Sequence, residues 1–111
     1  MVVKLHAGEF RTGQSWTAGD GKYVFQFDIS GILTLRDIER NLLLWQSGTL
    51  NATRFVVHED GNLAIYLGKD RLWASDTSGN PGAFLAVQDD GNVVLYSSTF
   101  APLWSTNTSS D

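Results

Sequence analysis

The chain has 111 residues, 42% hydrophobic and 12% aromatic, enough for one domain (1–111) with a buried core. It has no cysteine and a net charge of −4 with no basic run. That excludes disulfides, zinc–thiolate sites and cysteine nucleophiles, and it argues against nucleic acid, whose phosphates need a clustered positive patch. No apolar stretch is long enough to span a bilayer, so no membrane insertion is expected. Residues 1–8 lack the apolar core of a signal peptide, and with no cysteine to oxidise the cytoplasm is favoured as compartment.

Taken in chain order, residues 1–22 hold Gly8, Gly13, Gly19 and Gly21 around Phe10 and Trp16. They read as short strands joined by tight turns. Tyr23–Phe27 and Ile32–Leu35 follow as a hairpin. After the polar stretch 36–41 comes a strand at Leu42–Trp45. The apolar spacing over 33–44 fits no clean helical face, so strand is expected there too. Thr53–Val57 and Leu63–Leu67 form the second hairpin, followed by Arg71–Ser75. Ser78-Gly79-Asn80-Pro81-Gly82 is the clearest loop. Ala83–Val87, Asn92–Ser97 and Leu103–Thr106 complete the third set, and residues 107–111 read as a mobile polar tail.

These sets are one unit repeated. Gly31, Gly61 and Gly91 lie thirty residues apart, and each stands between two strand-like runs. The inward apolar residues coincide: Phe25, Phe27, Leu33 and Leu35; Phe55, Val57, Leu63 and Ile65; Leu85, Val87, Val93 and Leu95. A Trp follows each hairpin, at 45, 73 and 104. One hairpin cannot hold itself together in water, whereas three that share an apolar core can. The three Trp residues are expected in that core, with Trp16 outside their register. The repeats run approximately 23–50, 51–80 and 81–108.

Strand side chains alternate faces. With Val87, Val93 and Leu95 inward, Gln88, Asn92, Val94 and Tyr96 point outward together, and Asp90 at the turn leans over the same face. Two amides, a carboxylate, a phenol and one small apolar residue suit a ligand with several hydroxyls and one apolar edge, such as a pyranose.

The spacing Gln88-x-Asp90-x-Asn92-x-Val94-x-Tyr96 resembles the signature of the monocot mannose-binding (bulb-type, snowdrop-like) lectins at all five positions. The resemblance covers residues 8 to 108. It implies an all-β, β-prism II fold of three pseudo-threefold-related four-stranded antiparallel sheets. It also implies metal-independent binding of α-D-mannose or mannose-rich glycans, with no cofactor. Asp90 and Asn92 would read the 2-hydroxyl, Gln88 and Tyr96 would hold the 3- and 4-hydroxyls, and Val94 would meet the ring carbons. Repeat two offers a second site at His58, Asp60, Asn62, Ala64 and Tyr66. That site is expected to be weaker, and pH-dependent where a histidine titrates. Repeat one, with Asp28, Ser30, Ile32, Thr34 and Arg36, is expected not to bind. The family further implies a homodimer by exchange of the C-terminal strand, Leu103–Thr106.

No enzyme is expected. The pairs Glu59/Asp60 and Asp89/Asp90 read as adjacent turn acids pointing to different sides, not as glycosidase carboxylates. Gln88–Asn92 lacks the later bidentate Glu of a calcium loop. The alternative function is a structural or protein-interaction module on the same fold, its sugar sites decayed.

Overall fold

Alternating apolar residues on short, turn-bounded runs give strands throughout. The computed structural model describes residues 2–110, which hold twelve strands and no helix. They are β1 (Val3–Leu5), β2 (Gly8–Arg11), β3 (Ser15–Ala18), β4 (Tyr23–Phe27), β5 (Leu33–Asp37), β6 (Leu42–Gln46), β7 (Arg54–Val57), β8 (Leu63–Leu67), β9 (Asp70–Ala74), β10 (Phe84–Val87), β11 (Val93–Tyr96) and β12 (Pro102–Ser105). They form three four-stranded antiparallel sheets, ordered β3-β4-β5-β6, β2-β7-β8-β9 and β1-β10-β11-β12. This is the three-sheet prism that the resemblance implies.

Each repeat builds three strands of its sheet, and the first 22 residues supply the fourth strand of all three. The chain therefore opens by closing its last sheet, with β1 paired to β10. The twelve inward residues of the hairpins are buried to 1% exposure or less, and the whole core rests on them. Trp16 lies on β3 opposite Phe25 and meets Phe10 edge-on at 5.3 Å.

The other three Trp residues pack against the core, at its edge. Trp45, Trp73 and Trp104 are half-buried and close one end of the core as a triangle of edge-on contacts at 5.3 to 6.0 Å. Truncating one removes two ring–ring contacts besides its buried area. Trp73→Ala is expected to cost about 3 kcal/mol, the lower end for an aromatic truncation because the ring is half-exposed. Urea unfolding measures it, and a cost near zero would mean that the triangle carries no stability.

The three hairpin turns interlock. In each, the residue before the turn donates to the carbonyl after it and accepts from the Gly N–H, as in Gln88 N to Asn92 O (3.0 Å) and Gly91 N to Gln88 O (3.2 Å). The Gly takes a positive φ (89°, 93° and 90° at 31, 61 and 91), which closes a three-residue loop with a bulge. There is also no room for a side chain. A Cβ on Gly31 would lie 2.2 Å from Ala52 N, one on Gly61 would lie 2.4 Å from Asn80 O, and one on Gly91 would lie 2.8 Å from the Tyr23 ring. Each turn thus seats on the segment that opens the next repeat, and the third seats on the first.

Repeat one carries one buried charge. Asp37 is fully buried at the end of β5, where it accepts from Arg40 Nε (2.7 Å) and Arg40 N (3.1 Å) and pins the turn into β6. Burial pushes its carboxyl up. The Arg40 hydrogen bonds and charge, with Lys22, more than offset this and hold it below the ordinary carboxylate value. A lowered folded-state pKa stabilises above the unfolded value of about 4 and loses that stability as pH falls through the folded one. Asp37→Asn should therefore separate from the parent in urea midpoint at neutral pH. The gap should close below about pH 4; a gap constant down to pH 2 would contradict this.

Candidate functional site

The outward face of the third hairpin is built by pairing β10 with β11 in the register Phe84↔Tyr96, Leu85↔Leu95, Ala86↔Val94 and Val87↔Val93. That register puts Gln88 and Tyr96 on one side of the sheet, and Gln88 Nε2 donates to the Tyr96 hydroxyl at 2.5 Å. With that proton supplied, the phenol is left to donate, and the Gln88 Oε1 is left to accept. Asp90 sits at the turn, where its Oδ1 accepts from Asn92 N (2.9 Å) and its Oδ2 from Ser109 Oγ (3.4 Å). An ionised carboxylate has about four acceptor positions, so capacity for a ligand hydroxyl remains.

The Asn92 amide is oriented by residues that the sequence reading did not single out. Its Oδ1 accepts from Thr106 Oγ1 (3.1 Å) and Thr108 N (3.2 Å), which makes Nδ2 the amide atom not engaged by this brace. Thr108 Oγ1 in turn donates to Gly91 O at 2.7 Å. The same brace recurs as Ser75 and Thr77 on Asn62 and Gly61, and in repeat one as Thr49 on Gly31, with Ser47 Oγ accepting from Leu33 N. The signal is the spacing Trp-x-Ser/Thr-x-Thr after each hairpin. The residue between its Ser/Thr and last Thr, Gly48, Asp76 or Asn107, takes a positive φ, and these are residue types that tolerate it.

The brace also corrects the reading of the tail. Thr108 is tied to the turn, and Ser110 N donates to Asp90 O at 2.7 Å, as Asn51 N does to Ser30 O and Asn80 N to Asp60 O. Residues 107–110 are part of the third repeat's hydrogen bonding.

Repeat two brings its five residues together in the same way, with His58 Nε2 and the Tyr66 hydroxyl 2.9 Å apart and Asn62 N donating to Asp60 Oδ1 at 3.0 Å. Its apolar position differs: Ala64 is fully buried, whereas Val94 keeps 5% exposure. Neither presents much carbon surface, because each lies between cross-strand neighbours, Val94 between Ala86 and Ser105. In repeat one, Asp28 is closed on its own turn, accepting from Ile29 N (2.8 Å) and Ser30 Oγ (2.9 Å). Ile32 stands where the other repeats have Asn, and Arg36 where they have Tyr. The described residues enclose no cavity, so the faces are open ones.

No protein-family model matches the chain. Over 54 residues it is 44% identical to the B-type lectin plumieribetin of Scorpaena plumieri, covering 49% of this chain and 47% of that protein. Over 43 residues it is 42% identical to the mannose-specific lectin of Galanthus nivalis, covering 38% of this chain and 27% of that protein. The chain thus spans less than half the length of these curated relatives. Among solved structures it is similar to the monomeric monocot mannose-binding lectins of Gastrodia elata. There the identity is 33% and the TM-score 0.82, over 96% of this chain and 97% of that one.

Proposed function

This chain belongs to the monocot mannose-binding, or bulb-type, lectin family, and on that footing we propose that it binds α-D-mannose or mannose-containing glycans through Gln88, Asp90, Asn92, Val94 and Tyr96, without a metal ion. It is a carbohydrate-binding lectin and not an enzyme. The observation that carries the finer reading is the braced Asn92 amide beside Asp90: a fixed N–H donor next to a carboxylate acceptor gives one sugar hydroxyl both of its partners. The Gln88–Tyr96 pair supplies a second acceptor and donor on the same face.

His58, Asp60, Asn62, Ala64 and Tyr66 form the weaker second site. An imidazole nitrogen that faces the Tyr66 hydroxyl cannot donate and accept as the Gln88 amide does, and buried Ala64 adds no apolar contact. Repeat one does not bind. Single open faces bind monosaccharides weakly, and useful affinity comes from presenting several together. A homodimer formed by exchanging β12 would serve this, since a partner's strand can make the Leu95↔Trp104 pairing that β12 makes within its own chain.

The reading is tested on a mannan-coated surface. Methyl α-mannoside should release the protein and methyl α-galactoside should not. Release by both sugars alike would overturn the mannose specificity, and no binding would turn the assignment to a protein-interaction module on the same fold.

A further inference from the structure

The hairpin between β11 and β12 holds a bulky residue in a backbone conformation that such residues rarely adopt. Phe100 has φ 67° and is 65% exposed, so an apolar ring is held in water at a conformational cost. The loop is fixed from within. Ser97 Oγ accepts from Thr99 N (3.2 Å) and Ala101 N (3.0 Å), Phe100 N donates to Ser97 O (2.9 Å), and Ser97 N donates to Ala101 O (2.8 Å). The ring is therefore presented, not free to fold away.

Its neighbours connect it to the repeat-three face. Phe100 lies 6.5 Å from Tyr96 and 5.5 Å from Phe84, edge-on to the latter, and Phe84 is the cross-strand partner of Tyr96. The Lys4 ammonium stands 5.4 Å over the Phe84 ring and 5.9 Å over the Phe100 ring. Among the described residues no carboxylate lies within ion-pair distance of Lys4.

The other two repeats lack this arrangement. In repeat two the Phe84 position is Arg54, whose guanidinium covers the Tyr66 ring at 4.4 Å and is tied to Glu9 (3.8 Å) and Gly68 O (3.3 Å). Its hairpin is one residue shorter, with Tyr66 opposite Arg71 where Tyr96 is opposite Pro102. In repeat one the position is Val24, opposite Arg36.

We propose that Phe100, backed by the buried Phe84 ring, forms with Lys4 a second subsite adjoining Tyr96 that takes the next pyranose of a linked mannoside. This rests on the mannose reading of the repeat-three face. A pyranose has one face of C–H groups, which suits an exposed aromatic ring, and a rim of hydroxyls, which suits an ammonium with three donors. Where β12 pairs within its own chain the loop is already ordered, and the second sugar meets a surface that need not rearrange. Repeat three then reads an oligosaccharide, and repeat two a terminal mannose alone.

The test is calorimetry of methyl α-mannoside against an α-linked mannobiose, on the parent chain and on Phe100→Gly and Phe100→Asn. Both substitutions suit a positive φ, so the loop is kept. In the parent, the disaccharide should bind about threefold to tenfold tighter, the worth of one aromatic contact. In both variants that ratio should fall to about one. Ring-proton shifts of Phe100 on adding the disaccharide, absent with the monosaccharide, would support the same assignment. A ratio unchanged by the variants overturns it. So does a variant that alters the sedimenting mass and not the ratio, which would make Phe100 an interface between copies. If neither sugar binds the parent chain, the mannose reading falls as well, a result distinct from mannose binding without a disaccharide advantage.

Discussion

Changing Asp90 and Asn92 together to Ala is expected to remove most mannose binding, and changing Asp60 and Asn62 together to remove the lesser part. On the proposed reading the two positions would supply the acceptor and donor of one sugar hydroxyl, and losing a partner from a hydrogen bond shielded from water costs on the order of 1–3 kcal/mol. That is a factor of about 5 to 150 in affinity. For a site that is weak at the outset, either factor silences its repeat. The substitutions also disturb the fold, because Asn92 Oδ1 accepts from Thr106 and Thr108 and its loss releases both. The brace keeps the bonds from Thr108 Oγ1 to Gly91 O and from Val93 N to Thr106 Oγ1, so the variant should fold with a lowered melting temperature. Surface binding to mannan, read beside far-ultraviolet circular dichroism, separates loss of site from loss of fold. A larger loss from the second-repeat pair than from the third would reverse the ranking of the two sites.

Gly31→Ala is expected to be among the most destabilising substitutions in the chain. The added Cβ would lie 2.2 Å from Ala52 N and 2.7 Å from Ala52 O, and φ at this position is 89°. Both obstructing atoms belong to backbone, so no side-chain rotation relieves the contact. The turn must back away from the segment that opens repeat two, which breaks the bond from Asn51 N to Ser30 O. We expect a cost of about 4 kcal/mol, a large share of the stability of a domain this size. Gly68→Ala is the control. It has φ 59° with nothing within 4 Å of the added Cβ, so only the conformational term of about 1–2 kcal/mol applies. Equal effects from the two in urea unfolding would mean that the interlocking of turns carries no weight.

Much of this architecture was legible in the sequence because it is written locally and three times. The period of two along each run, the Gly at a constant spacing and the Trp after each hairpin are short-range signals. They suffice to place the twelve inward residues of the hairpins and to exclude a helix over 33–44, where β5 and β6 lie. The first 22 residues were harder. Their strands are recognisable, but which sheet edge each one joins depends on the closed threefold arrangement, and no pattern within three or four residues encodes that. Residues 107–110 misled for a related reason. Their polarity resembles that of a mobile end, yet Thr108 and Ser110 spend their polar groups on the third turn.

For the candidate site, the spacing of alternate residues placed Gln88 beside Tyr96 and Asp90 beside Asn92, because a strand fixes such neighbours. It could not show what orients the Asn92 amide, since Thr106 and Thr108 reach it from the far side of β11. Nor could it show Phe100, which has no counterpart in the other repeats and matters only because the hairpin bends it back toward Phe84. Val94 and Ala64 lie deeper than strand alternation suggests, because an outward position in the middle of a sheet is covered by its neighbours on both sides.

The most direct measurement is a nitrogen-15 nuclear magnetic resonance titration of the folded chain with methyl α-mannoside. Shifts are expected to concentrate at Asp90, Asn92, Val94 and Tyr96 and at the Gln88 and Asn92 side-chain amides. Smaller shifts are predicted at Asp60, Asn62 and Tyr66 at higher sugar concentration, and none at Ser30, Ile32 and Thr34. Shifts centred on the first repeat, or no shifts at sugar concentrations that block mannan binding, would contradict the mannose reading.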